Sequence, residues 1–190
     1  MKYYKLDGDI YANYGVTKNP DLHPNAGFLN GRIIPDDLIK PPLAFEVDYP
    51  SGHQPEHMLG DSIPIVSNTL LEVLKNAGVD NLQIFPALLI NPTTKEQWDN
   101  YFAFNVIGML DAANMDQSKF DEIMEGDDHV PALVDFEDIV LDRSKTYDLR
   151  MFRIIQSPEI IFVRENVIAA LSANRPKDGW GLTVEEVDVI

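Results

Sequence analysis

The placement of proline constrains this chain more than any other feature. Eight of its 13 prolines fall in the first 64 of 190 residues: Pro20, Pro24, Pro35, Pro41, Pro42, Pro50, Pro55 and Pro64. Each removes a backbone donor and restricts the residue before it, so no long helix fits there. Tyr3–Leu6 and Leu43–Val47 read as short strands, with irregular chain between them wrapping a core built later in the sequence. From Ser67 the pattern changes. Ser67 is an N-cap type of residue, Leu70, Leu71 and Leu74 form an apolar stripe, and Gly78 suits a helix stop, which predicts a helix over Ser67–Ala77. Val79-Asp80-Asn81 then turns the chain into an apolar strand, Leu82–Ile90, where Pro86 predicts an edge position or a bulge. In Tyr101–Ile107, strict alternation sets Phe102, Phe104 and Val106 against Tyr101, Ala103 and Asn105. Met151–Ile155 and Ile160–Val163 read as a hairpin turning at Ser157-Pro158. A helix over Arg164–Ala173 and a closing strand over Trp180–Val187 follow. The expected fold is α+β: a mixed, mainly antiparallel sheet, two principal helices and a Pro-rich irregular N-terminal part. Residues 1–190 are expected to form a single domain, with 1–60 as a loosely distinct subregion.

Composition limits function. With 15 Lys and Arg against 31 Asp and Glu, the formal net charge is −16, which opposes binding to nucleic acid or anionic lipid and favours basic proteins as partners. Residues 96–142 concentrate the imbalance, carrying 13 acidic side chains and one basic one, Lys119. The densest part interleaves acids with apolar residues. It nominates Met124, Glu125, Asp127, Asp128, Asp135, Phe136, Glu137 and Asp138 for partner binding, with Met124 and Phe136 as anchors. The plainer reading of the same run is a solvated face. Gly126-Asp127-Asp128 lacks the alternating order of a calcium loop.

Chemistry of other kinds finds little support. The chain has no cysteine, which removes disulfides, thiolate metal sites and cysteine nucleophiles. His53-x-x-x-His57 invites a metal reading, but Gly52, Pro55 and Gly60 interrupt the helix that this spacing needs, so partly exposed loop histidines are expected. Gly60-Asp61-Ser62-Ile63-Pro64 has proline where a nucleophile elbow needs its second glycine, and Gly179-Trp180-Gly181 lacks a third glycine. No catalytic residue, cofactor or metal ligand is assigned. An enzyme using the carboxylates or His53 and His57 stays as the alternative. The N-terminus lacks the apolar run of a secretory signal, and no stretch approaches the roughly 18 apolar residues of a membrane span, so a cytoplasmic location without membrane contact is expected.

Several segments, taken in order, carry a resemblance: Tyr3-Tyr4-Lys5-Leu6; Pro64-Ile65-Val66-Ser67 leading into the Leu70–Leu74 helix; Ala77 to Gln83 followed by Phe85-Pro86-Ala87; and Tyr101 to Gly108 with Asp111, Asp116 and Ser118. Met151-Phe152-Arg153-Ile154, Ile160 to Val163 and Gly181-Leu182-Thr183-Val184 complete it. Together they resemble the eleventh numbered family of bacterial polymorphic-toxin immunity proteins, whose founding domain is myxobacterial. The resemblance implies a protein that binds and neutralises a cognate toxin domain, made by a neighbouring gene and associated with type VI secretion. The composition adds that this toxin domain is basic. The family fixes no catalytic residue. Pro35–Pro55 and Lys177–Trp180 depart from its pattern. Whether copies of the chain associate is left open.

Overall fold

A computed structural model describes residues 1–9, 11–124, 126 and 132–190. Its elements are β1 (Tyr3–Gly8), β2 (Val16–Lys18), β3 (Leu43–Val47), β4 (Met58–Leu59), β5 (Ile65–Ser67), α1 (Asn68–Asn76), β6 (Leu82–Ile90) and β7 (Gln97–Val106). There follow β8 (Met109–Leu110), β9 (Lys119–Met124), β10 (Leu133–Asp138), β11 (Val140–Leu141), β12 (Met151–Ile154), β13 (Ser157–Arg164), α2 (Glu165–Ala173) and β14 (Leu182–Val189). The strands make two six-stranded sheets, ordered β2-β3-β6-β7-β5-β4 and β11-β14-β1-β13-β12-β8, and a two-stranded ribbon of β9 and β10. The fold is thus mainly β with two helices. Most pairs are antiparallel, while β3/β6, β8/β12 and β11/β14 run parallel. One mixed sheet was expected, and the strands divide between two because both faces of β7 are apolar enough to be covered.

The alternation along β7 sorts its side chains into two cores. Tyr101 and Ala103 join Phe45, Val47, Phe85 and Leu89 on one face, where Ala26, Phe28, Ile34 and Ile39 of the Pro-rich segment close over them. Phe104 and Val106 point the other way, into a core shared with Leu70, Leu71 and Leu74 of α1, Val167 and Leu171 of α2, and Leu6, Ile161 and Val163 of the second sheet. The second sheet's far face carries Tyr3, Phe152, Phe162 and Val187, covered by Ala112, Ala113, Ile139 and Leu141. A register shift where β7 passes Ala87 and Leu89 places Tyr101 opposite Ala87 and Trp98 opposite Leu89. That extra residue lets Trp98 share the Tyr101 core despite its odd spacing.

The wrap is held by side chains. Proline-interrupted chain has few ways to pair its own backbone, so amides of the central sheet supply partners. Gln83 donates to the Ile34 carbonyl (2.7 Å) and accepts from its N–H (2.8 Å), imitating a strand. Asn105 donates to the Arg32 carbonyl at 2.7 Å, Asn91 to the Tyr49 carbonyl at 2.5 Å, and the Tyr101 hydroxyl to the Pro55 carbonyl at 2.8 Å. Asn81 ties the two sheets, donating to the Ile107 and Met151 carbonyls.

Four expectations need correction. Pro86 is in an interior strand and not an edge strand, yet it stands where β6 has a free side, since β3 flanks β6 only from Ala87 to Ile90, and the alternative expected bulge follows it between Ala87 and Leu89. The β12–β13 hairpin turns at Ile155-Gln156, with Ile154 opposite Ser157, so Ser157-Pro158 begins a strand. The closing strand starts at Leu182, because Trp180 is drawn into the core and its indole N–H donates to the Leu171 carbonyl. The first 60 residues supply four strands, β1 to β4. No helix among the described residues is long and apolar enough to cross a membrane.

Gly60 closes the β4–β5 turn at φ +83°, where an added Cβ would lie 2.5 Å from the Ile63 carbonyl oxygen. Gly60→Ala should therefore cost about 2 kcal/mol, combining left-handed strain with a backbone clash, read as a lowered urea midpoint with an unchanged slope.

Candidate functional site

The acidic segment folds into the β9–β10 ribbon. Glu125, Asp127 and Asp128 lie outside the described residues; Met124, Asp135, Phe136, Glu137 and Asp138 are within them. The register sets Leu133 opposite Met124, Val134 opposite Ile123, Asp135 opposite Glu122, Phe136 opposite Phe120 and Asp138 opposite Lys119. Shifts on either side of Phe136 leave Asp121 and Glu137 as the extra residues of two bulges. The first bulge brings Phe120 onto the face of Ile123, Val134 and Phe136, and the Phe120 and Phe136 rings meet edge-on at 6.3 Å.

Ser118 anchors the base of the ribbon. Its hydroxyl donates to the Asn114 carbonyl (2.7 Å) and accepts from the Val140 N–H (3.0 Å), joining the residue before β9 to the first residue of β11. Val134 ties the middle of β10 to the hairpin of the second sheet, donating its N–H to the Gln156 carbonyl at 2.8 Å. Gln156 in turn donates to Asp111 at 2.6 Å. Two of the residues that carry the family resemblance, Asp111 and Ser118, therefore serve as supports of the ribbon.

Burial across the ribbon is unequal. Val134 is 5 % exposed and Phe136 packs against the second sheet's outer core, whereas Phe120, Ile123 and Met124 are 36 %, 44 % and 54 % exposed. Of the two anchors nominated from sequence, Met124 is open to a partner and Phe136 mainly fastens the ribbon to the body. Phe120 and Ile123, not nominated, provide the open apolar surface. The acids around them obscured these two, and only the bulged register shows that they share a face. Among the described residues no ribbon carboxylate is in an ion pair; the ion pairs are Lys2–Glu186, Lys5–Glu185, Lys18–Glu46 and Lys145–Asp111. Asp135 even faces Glu122, a like-charge arrangement that costs stability and serves no internal purpose.

Among the described residues, His53 and His57 do not converge. His53 stacks on Tyr49 with ring centroids 6.0 Å apart, while His57 contacts Trp180 edge-on at 4.9 Å and places Nδ1 2.7 Å from the Ser67 hydroxyl. This Ser–His contact is part of the α1 N-terminus. Ser67 is buried, and its Oγ accepts the Leu70 N–H at 3.2 Å as the helix cap. Among the described residues there is no group of three or more His, Asp or Glu side chains placed to hold a metal.

A strongly acidic cleft of about 370 Å³ is lined by Asp7, Asp9, Asp48, Glu56 and Asp61, with Tyr14 and Tyr49 as walls. Three of its five carboxylates accept backbone N–H groups: Asp7 from Gly8, Asp9 from Tyr11 and Asp48 from Gly15. Burial pushes the Asp7 carboxyl up. Glu56 accepts the Tyr49 hydroxyl, which burial and that carboxylate push well above its ordinary value. The Gly60–Pro64 motif is the β4–β5 turn beside this cleft.

With the fold and ribbon in place, the class is set by comparison. A protein-family model described as Immunity protein family (Imm11) matches residues 17–188, nearly the whole chain. The chain belongs to this immunity protein family. A search of curated proteins finds no match.

Burial holds the His57 imidazole below its ordinary value of 6.5. Between that lower value and 6.5 the unfolded chain binds a proton that the folded chain resists, so stability falls as pH drops through this window. Lowering the pH from 7.5 to 5.5 should reduce the wild-type Tm by more than it reduces that of His57→Gln, measured by thermal melts at matched ionic strength.

Proposed function

We propose that this protein binds a cognate antibacterial toxin domain and neutralises it by direct contact, with the β9–β10 ribbon as part of the interface. The observation that carries this reading is the ribbon itself. In a chain from an immunity family, exposed Phe120, Ile123 and Met124 stand among carboxylates that have no counterion among the described residues. Apolar anchors ringed by charge are what a tight interface requires: the anchors contribute when desolvated, and the charges steer encounter and reject wrong partners. The net charge of −16 makes a basic toxin domain the complementary partner.

The chemistry asked of the protein is modest. An inhibitor has to cover a catalytic cleft or block its motion, using an interface of roughly 1,600 Å². Ribbon residues supply part of that area. Glu125, Asp127 and Asp128, nominated from sequence, extend the same acidic segment. On this reading the 190 residues act as one domain in the cytoplasm of the toxin-producing cell.

The test pairs the protein with the toxin domain encoded by the adjacent gene, catalytically inactivated for expression. A stoichiometric complex that restores growth against the active toxin supports the reading, and absence of binding removes it. Asp135→Lys with Glu137→Lys keeps Lys119 in register opposite Asp138 and relieves the Asp135–Glu122 repulsion, so the fold should hold. At low salt this double variant should associate about tenfold more slowly, with a flatter salt dependence, as read by stopped-flow or biolayer interferometry.

A further inference from the structure

We propose that the outer edge of β9 accepts an extended, basic segment of the toxin domain as a third strand of the ribbon. This rests on the function proposed above and specifies how the partner is held.

The accounting of backbone groups points to this edge. Val134 directs its N–H to Gln156, away from β9, so Val134 and Ile123 face each other without exchanging backbone bonds. By the alternation of an antiparallel ladder, the N–H and C=O of Ile123 then point outward, along the free edge. Among the described residues, Lys119–Met124 make no backbone hydrogen bonds beyond the ribbon. The edge strands β4, β8 and β11 have two residues each and β2 has three, against six in β9; β14 is open beyond the Asp188 and Val189 that β11 flanks, but there Glu185 and Glu186 already pair with Lys5 and Lys2. The far edge of β10 is already tied to the β12–β13 hairpin through Val134.

Side chains then say what fits. The face bearing Val134 and Phe136 is covered, but its continuation across β9, Phe120 and Ile123, is open. An added strand would extend that face and bury both. Long open edges are normally protected against indiscriminate pairing, and here Asp121 and Glu122 supply the protection together with the Asp121 bulge. These charges select as well as protect. They repel a second copy of this chain, itself strongly anionic, and attract a strand carrying Lys or Arg. Main-chain bonds would supply affinity, and alternate side chains, apolar on one face and basic on the other, would supply specificity.

The experiment uses Ile123→Pro, which removes the outward N–H at a position where a proline is tolerated by an edge strand, and Ile123→Val as the conservative control. Binding to the inactivated toxin domain of the adjacent gene is measured with far-UV circular dichroism and Tm in parallel. Expected is a folded Ile123→Pro protein with binding weakened about tenfold or more, and Ile123→Val within about threefold of wild type. If wild type binds and inhibits but Ile123→Pro binds equally well, the edge proposal falls while the immunity reading stands. If wild type does not bind, both fall. Should Ile123→Pro fail to fold, amide exchange on the wild-type complex decides: protection of the Ile123 N–H on binding supports the added strand, and unchanged exchange overturns it. A wild-type dimer that Ile123→Pro dissociates would make a second copy the occupant and overturn the assignment to the toxin.

Discussion

Strands β6 and β7 have to be buried on both faces, and the rest of the architecture is arranged to meet that requirement. A sheet with one wet face can stand alone with helices on its dry side. Here Tyr101 and Ala103 on one face and Phe104 and Val106 on the other all need cover. One side receives α1, α2 and the second sheet. The other receives the Pro-rich N-terminal segment, which could not have formed a helix or a further long strand.

Using irregular chain as a core layer raises a hydrogen-bonding problem that the sheet itself solves. Buried backbone groups must be paired, and the wrap has no ladder of its own. Gln83, Asn91, Asn105 and Tyr101 reach out from the sheet to supply the missing partners. Polar side chains in strands that otherwise read as apolar are therefore structural. The same holds for Ser67 and His57, whose contact resembles a catalytic pair but belongs to a helix cap.

The ribbon follows a different logic from the rest of the molecule. The layers bury most of their large apolar side chains, whereas β9 leaves both an edge and three apolar side chains open and β10 sets Asp135 against Glu122. Such features weaken an isolated fold, and under the proposed function the toxin domain would complete them. Asp111, Ser118 and Gln156 hold the base of the ribbon and its middle against the second sheet, so the open edge is presented from a fixed support.

Much of this was legible in the sequence because it is local. Proline positions, the Ser67 cap, the Leu70–Leu74 stripe and the alternation along Tyr101–Val106 act within a few residues, and the elements they predict are present with small shifts at their ends. The family resemblance was legible for a related reason, since its fragments coincide with these elements and their joints. Tertiary structure decided what depends on distant chain. Strand β6 became interior because β3 pairs beside it, with Pro86 left just beyond the reach of β3, the hairpin turn moved to Ile155-Gln156 through the register of β12 with β13, and the apolar strands split between two sheets. The ribbon shows the division within a single site. Charge and apolar content marked the segment in the sequence. That Phe136 is spent on packing while Phe120 and Ile123 stay open depends on two bulges and one hydrogen bond from Val134 to Gln156, and nothing local to residues 119–138 encodes where Gln156 will be.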